Sequence, residues 1–188
     1  MPASAVSARP KRFFGRFRRN NRGSVAVEFS LIAVPFFALF FAIVETGLVF
    51  FASQVLENGI QDSSRFIFTN QMTNTNTTAA QFKADLCPRL TVLMGCPVGV
   101  DIDVKYYPPG TAITFVEPID ALGNYDNSAL GFTIPPPNST GTVVVRGFYQ
   151  WPLIVTGLGY NIANINRGTA NSKRLLTATA AFHVEPPP

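Results

Sequence analysis

The side chains that could take part in catalysis are few in this 188-residue chain. Its one histidine, His183, falls on the predicted outward face of a carboxy-terminal strand, where a role as ligand or base is not expected. No Ser-x-x-Lys sequence is present either. Because the usual base of a catalytic triad is missing, we predict that the chain is not an enzyme.

The cysteines, Cys87 and Cys96, enclose eight residues. The spacing is not Cys-x-x-Cys and no histidine lies near, so a metal site or a redox-active pair is disfavoured. Two cysteines permit one pairing only. We therefore predict a structural disulfide, whose short loop stabilises the fold by about 2–3 kcal/mol.

Two carboxylates, Asp101 and Asp103, alternate along the clearest predicted strand of the chain, Val98 to Tyr106. They project from the same face, which raises the question of a metal site or an acid pair. Because no third ligand lies near in the sequence, a solvated strand face is the favoured interpretation, and neither metal nor cofactor is predicted. The residues expected to face inward are Val98, Val100, Ile102, Val104 and Tyr106.

Charge is distributed unevenly along the chain. Seven of the 15 lysines and arginines precede Gly23 and no acid does, whereas the remainder carries 8 basic and 11 acidic residues, a formal charge of −3. A short basic leader of this kind is typical of an orientation signal, and we predict no binding to nucleic acid.

The leader is followed by an apolar run, Phe29 to Ala52, with no lysine or arginine and one carboxylate, Glu45. As a helix it would extend about 36 Å, enough to cross a hydrocarbon core of roughly 30 Å. Flanking basic residues stay cytoplasmic, and the next one after the run is Arg65. We therefore predict a single-pass protein of a bacterial inner membrane, with a cytoplasmic amino terminus and a periplasmic carboxy-terminal domain, where cysteines are oxidised.

Gly23 and Glu28 flank the point where the leader meets the apolar run. Glycine weakens a helix, so Gly23 suits the position before a scissile bond, where the backbone must unwind. Cleavage there would expose the amine of Ser24, with which the Glu28 carboxylate of a neighbouring subunit could pair at the apolar margin. The alternative is that Glu28 lies in the headgroup region and is favoured there by the helix dipole. Ordinary signal peptidase cleavage is disfavoured, because the apolar run is too long and lacks a small-x-small end.

This order of features resembles the class III signal of type IV prepilins. More closely, residues 18–66 resemble the start of the TadE-like minor pilins, or pseudopilins, of the Tad/Flp pilus system. The matching features are Gly23, Glu28, Pro35, Glu45-Thr46-Gly47 and an amphipathic continuation after Gln54. The carboxy-terminal strand leading into Glu185-Pro186 is also similar, although His183 stands where an arginine is more familiar.

The resemblance implies that an aspartyl prepilin peptidase cuts between Gly23 and Ser24. It also implies that other pilins and the Tad inner-membrane platform proteins are partners. Glu28 would set the register of assembly. Glu45 would contact another pilin or the platform, or would simply snorkel or be protonated, and the sequence leaves these alternatives open.

The predicted fold is α+β and pilin-like. It comprises a basic prepilin leader (residues 1–23), a transmembrane and amphipathic helical spine (residues 24–70) and a periplasmic domain (residues 71–188). The spine should bury a stripe formed by Val55, Leu56, Gly59, Ile60, Ser63 and Ile67. The domain should contain a short helix opened by a capping box of Thr78 and Gln81, and a mainly antiparallel sheet. Its three or four strands are expected at Val98–Tyr106, more weakly Thr111–Val116, Thr142–Trp151 and Arg174–Val184.

The expected function is structural: assembly or stabilisation of a pilus used in adhesion or secretion, with possible incorporation into the fibre at the cell surface. The alternative is a signal-anchored periplasmic binding or adhesin module without enzymatic activity. It would use Tyr106, Tyr107, Tyr149 and Trp151, although such aromatic residues more often pack across strands. The apolar run Pro152–Tyr160 is expected either to pack on the spine or to meet a partner subunit.

Overall fold

The computed structural model describes residues 24–68, 78–90, 94–158 and 160–185. The basic leader with Gly23, nearly all of the predicted loop Thr69–Thr78, and Pro186 lie outside these ranges. The chain forms two compact units, Met1–Phe41 and Ala42–Pro188. The elements in chain order are α1 (Ser24–Phe68), α2 (Ala79–Leu86), β1 (Val100–Tyr107), β2 (Gly141–Pro152), a 3₁₀ helix (Val155–Leu158) and β3 (Lys173–Val184).

Helix α1 has 45 residues and continues through Pro35. Val25–Ile67 is long and apolar enough to cross a membrane. In the first unit the apolar side chains of α1 are exposed, for example Phe29 at 68% and Leu31 at 76%. Side chains of this size are rarely exposed in a row to water, whereas a lipid environment accommodates them.

Within the second unit, α1 buries one stripe of side chains. The spacing of three and four residues is that of a single helix face. The buried members are Ala42, Glu45, Ala52, Leu56, Gly59, Ile60, Ser63, Ser64 and Ile67, with Val55 partly buried. The predicted stripe beyond the membrane is confirmed.

The three strands form one antiparallel sheet in the order β1-β2-β3. Helix α1 packs on one face of it, where Leu56 and Ile60 share a buried core with valines of all three strands. Gly147 permits this close approach, because a Cβ at that position would lie 2.6 Å from Cδ1 of Ile60. The predicted α+β class is confirmed.

The short helix α2 begins as predicted. The Thr78 side chain accepts the N–H of Gln81, and the Gln81 side chain accepts the N–H of Thr78 at 2.9 Å, which completes the capping box. Phe82 is buried in the same core as the α1 stripe. Cys87 follows the helix and is bonded to Cys96, with the Cα atoms 5.5 Å apart, so the predicted disulfide is present.

The second face of the sheet is not the solvated surface that the sequence predicted. A small core of Phe148, Ile165 and Leu175 lies there, covered by Ile119, Tyr125 and Leu130. Asp103 is only 2% exposed, and Tyr107 is 9% exposed. Val98, expected to face inward, is 93% exposed, because β1 begins two residues later.

The segment Thr111–Val116, predicted as a weak strand, has no regular structure. Its carbonyl groups are used by side chains instead. The Tyr107 hydroxyl donates to the Thr114 oxygen at 2.7 Å, and the Arg146 guanidinium donates to the Val116 oxygen at 3.0 Å. These bonds hold the segment across the sheet rather than along its edge.

The predicted loop Ala121–Thr140 forms turns and isolated bridges rather than a helix or strand. Part of it runs parallel to the outer edge of β1. The Val104 N–H donates to the Gly131 oxygen at 2.8 Å, and the Thr133 N–H donates to the Val104 oxygen at 2.7 Å. This strap, residues 131–133, covers main-chain groups that an edge strand would otherwise expose.

Candidate functional site

The predicted assembly residues lie at the start of α1. Ser24 opens the helix, and Glu28 is exposed one turn later. Its neighbours Val25, Val27 and Phe29 are at least 68% exposed. Glu28 therefore combines a carboxylate with an apolar helical surface, an arrangement that suits a charged contact at a membrane margin. Gly23, the other half of the predicted processing site, lies outside the described residues.

Glu45 is buried within the second unit, with 6% of its surface exposed. Its Oε1 atom accepts the N–H of Ile154 at 2.5 Å and the N–H of Val155 at 3.2 Å. Its Oε2 atom also accepts the Val155 N–H, at 3.3 Å. The sequence interpretation did not foresee this partner within the same chain, and a role for Glu45 in assembly stays a prediction.

The turn that Glu45 holds follows directly from the end of β2 at Pro152. The first N–H groups of a helix have no partner inside it, and here a carboxylate supplies the acceptor. A second tie joins the same segments, since the Thr46 Oγ1 and Tyr160 hydroxyl oxygens are 3.2 Å apart. Within the apolar run, Val155 is buried and packs inward whereas Ile154 is 88% exposed, so packing on the spine is shown for part of the run and a contact with a partner subunit stays a prediction.

A cavity of about 360 Å³ lies beside these ties. Helix α1, the segment after the 3₁₀ helix and β3 each contribute to its wall. The lining residues are Thr46, Val49, Phe50, Ser53, Tyr160, Ile162, Arg174, Leu175, Leu176 and Thr177. Its wall is mixed in character, with apolar side chains, hydroxyl groups and one guanidinium.

Residues 23–65 match the family model described as TadE-like protein. The chain carries a TadE-like segment. The resemblance inferred from the sequence is thereby confirmed, and the match includes Gly23, Glu28, Pro35 and Glu45. No curated protein and no solved structure matches the chain.

The TadE-like segment connects the protein with the Tad pilus system and with pilus-system partners in general. The family is structural rather than enzymatic. One amino-terminal apolar helix is consistent with a membrane-anchored pilus component. The match ends at Arg65, so the sheet and its loops lie beyond it.

Beyond the TadE-like segment, the sheet contains a buried ion pair that the sequence interpretation missed. Nε of Arg146 donates to Oδ2 of Asp103 at 3.1 Å, and Nη2 donates to the same atom at 2.5 Å. The other oxygen of Asp103 accepts the Gly131 N–H at 2.9 Å. The guanidinium also lies 5.2 Å from the ring centroids of Phe115 and Phe148. An arginine within the apolar sequence of β2 was the available signal, but its partner depended on strand register.

Asp101 and Asp103 do not form a joint site. Asp101 Oδ2 accepts the Tyr125 hydroxyl at 2.8 Å, and its Oδ1 lies 3.8 Å from the Lys83 ammonium. Burial, together with the bond to Asp101, raises the pKa of the Tyr125 phenol. Throughout the ranges that the structure describes, no group of three or more His, Cys, Asp or Glu could hold a metal ion.

The aromatic residues considered for a binding module are engaged within the domain. The Tyr106 hydroxyl donates to the Thr140 oxygen at 2.8 Å, and the Tyr149 hydroxyl accepts the Gly95 N–H at 3.3 Å. The Tyr149 ring also lies 6.2 Å from the Trp151 ring. These contacts favour packing over ligand binding. His183 is exposed on β3, as predicted.

Proposed function

We propose that the chain is a minor pilin or pseudopilin of a Tad/Flp pilus, cut by prepilin peptidase between Gly23 and Ser24. The observation that carries the proposal is the TadE-like match beginning at residue 23, on a helix that displays Glu28 on an exposed apolar surface. Three segments follow from it: leader 1–23, spine 24–70 and periplasmic domain 71–188.

Charge supports this assignment. Removal of residues 1–23 takes away seven basic residues and no acid, which changes the formal charge of the chain from +4 to −3. Before cleavage, the basic leader would hold the amino terminus at the cytoplasmic face of the inner membrane. After cleavage, that electrostatic hold is gone and α1 can leave the bilayer for a fibre.

Glu28 would act in assembly, after the leader has been removed. The new amine of Ser24 in one subunit would pair with the Glu28 carboxylate of its neighbour. In an apolar surrounding such a pair is strengthened, and an unpaired carboxylate is costly, so the contact sets the register of neighbouring helices. The partners are other pilins and the Tad platform proteins, and the outcome is a fibre for adhesion or secretion. No enzymatic activity is proposed.

The test of processing is the amino terminus of the membrane-associated protein. Amino-terminal sequencing or intact mass should give a chain beginning at Ser24 in cells with the peptidase and the full-length chain in cells without it. Gly23→Val should leave the full-length chain in both. A start at Met1 in peptidase-positive cells would contradict the proposal.

The test of assembly is a matched pair of substitutions on α1. Glu28→Ala should be processed normally but should abolish or strongly reduce pili counted by electron microscopy. Glu57→Ala removes a carboxylate from the same helix, within the second unit, and should leave pilus number unchanged. Equal pilus numbers in the two variants would refute the role of Glu28.

A further inference from the structure

The segment that Glu45 holds has an unusual composition for a surface loop. From Trp151 to Asn166 it contains no Asp, Glu, Lys, Arg or His. Within it we define the apolar loop as residues 152–156. Ile154 at its centre is 88% exposed, whereas the adjacent Val155 is 6% exposed and packs inward. The loop thus presents an apolar side chain outward on a fixed turn.

Two main-chain N–H groups of this turn find their hydrogen-bond acceptor on α1. The N–H groups of Ile154 and Val155 both donate to Glu45, so these groups do not require water. Backbone that enters a hydrocarbon region must have its polar groups satisfied within the protein, because each unsatisfied group costs several kcal/mol there. The Glu45 carboxylate satisfies the main-chain N–H of Ile154, the residue whose side chain is exposed.

The position along α1 gives the depth of the loop. Glu45 precedes Ala52, the outer end of the apolar run, by seven residues, about 10 Å along a helix, against roughly 15 Å for half of a hydrocarbon core. With Ala52 at the outer margin, Glu45 lies at the depth of the outer leaflet. Tyr160, which contacts Thr46, is partly exposed at the same level, where aromatic residues with a polar tip are enriched in membrane proteins.

We propose that the apolar loop is a second membrane contact, which inserts Ile154 into the outer leaflet of the lipid bilayer beside α1, with Glu45 as its tie. The inference rests on the membrane topology of the proposed function. Because the loop carries no charge, its partner is the apolar region of the leaflet rather than an anionic headgroup.

Depth-dependent quenching of a fluorophore tests this proposal in the full-length protein. The native cysteines are bonded to each other, so a single introduced cysteine is the site of labelling. Ile154→Cys reports on the loop. Leu122→Cys, at a residue 86% exposed in a distant turn, is the aqueous control, and Phe37→Cys, in the first unit, is the control for the span.

The labelled proteins are placed in phosphatidylcholine vesicles, with and without lipids carrying a nitroxide high on the acyl chain. Labels at positions 154 and 37 should shift to shorter emission wavelength and be quenched several-fold more than the label at 122. Glu45→Ala should reduce quenching at 154 and leave it unchanged at 37. Glu45→Gln, which keeps the Oε1 acceptor, should largely preserve it.

Each of the other outcomes overturns a different part of the proposal. Quenching at 37 without quenching at 154 overturns the membrane contact of the loop and leaves the proposed function standing. An unquenched label at 37 overturns the membrane anchor of the proposed function together with the inference. A wavelength shift at 154 that depends on protein concentration and not on the nitroxide identifies a subunit contact and overturns the lipid assignment. Equal quenching at 154 in Glu45→Ala and the parent overturns the role of Glu45.

Discussion

Removal of the Asp103 carboxylate should strongly destabilise the domain. Asp103 is 2% exposed, and the Asp103→Ala variant leaves the Arg146 guanidinium buried with one remaining hydrogen bond, to the Val116 oxygen. It also leaves the Gly131 N–H without its acceptor. Loss of one partner from a buried ion pair costs about 3–5 kcal/mol, and so lowers the folding equilibrium constant roughly a hundred- to several-thousand-fold.

A surface aspartate provides the matched control. Asp85 pairs with Arg89 at 3.2 Å within one helical turn, and both side chains are more than a quarter exposed. Asp85→Ala removes the same chemical group, and an exposed pair at this spacing contributes only about 0.3–0.5 kcal/mol. The two variants therefore separate the effect of burial from that of charge.

The assay is urea-induced unfolding of the full-length protein in detergent micelles, followed by the fluorescence of Trp151, the single tryptophan, on β2. The midpoint should fall far more for Asp103→Ala than for Asp85→Ala, at a similar denaturant slope. The double variant Asp103→Leu with Arg146→Met should recover much of the loss, since apolar residues can replace a buried pair. The reasoning is refuted if the two single variants unfold at the same urea concentration.

Three further outcomes are expected from the domain. Tyr125 should remain un-ionised at about pH 10, where free tyrosine is half ionised, and near-ultraviolet phenolate absorbance measures this. The stability that Tyr125 contributes should be present below that pH and should be lost as pH rises through its higher folded pKa. Replacement of Cys87 and Cys96 by serine should cost about 2–3 kcal/mol of unfolding free energy in the same urea assay. Gly147→Ala should cost about 1–3 kcal/mol, because its Cβ would collide with Ile60.

Each of these outcomes has its own control. The Tyr125→Phe variant should lack the late-titrating phenol, and a wild-type titration without a phenol that ionises above the ordinary range would contradict the assignment. For the disulfide, a reducing agent should lower the stability of the parent to that of the serine variant and leave the variant unchanged. Gly47→Ala, whose Cβ would have no neighbour within 4 Å, should not destabilise, and equal losses at positions 47 and 147 would contradict the steric argument.

Features set by neighbouring residues were predictable from the sequence. The length and composition of α1, the capping box at Thr78 and the alternation along β3 all depend on side chains a few positions apart. The disulfide was predictable for a different reason, because the two cysteines, Cys87 and Cys96, can form only one pair.

Features set by distant contacts were not predictable. The sequence alone predicts that Asp103 is solvated. In the structure the strand register places it opposite Arg146, and the loops cover both residues. The partners of Glu45 lie 109 and 110 residues away, and no local pattern indicates them. Thr111–Val116 has the composition of a strand, but its carbonyl groups are used by Tyr107 and Arg146 instead of a neighbouring strand.

The strap over β1 limits how the protein can associate through its sheet. Among the described residues, β1 is bridged on its outer side at Val104 by Phe132, while β3 is bridged only near its start, at Lys173 by Ile165. A sheet with two open edges can add copies without end, whereas a sheet open on one side closes after a single addition. Strand pairing between copies is therefore obstructed at Val104 of β1, and among the described residues the edge of β3 beyond Lys173 is the more accessible one.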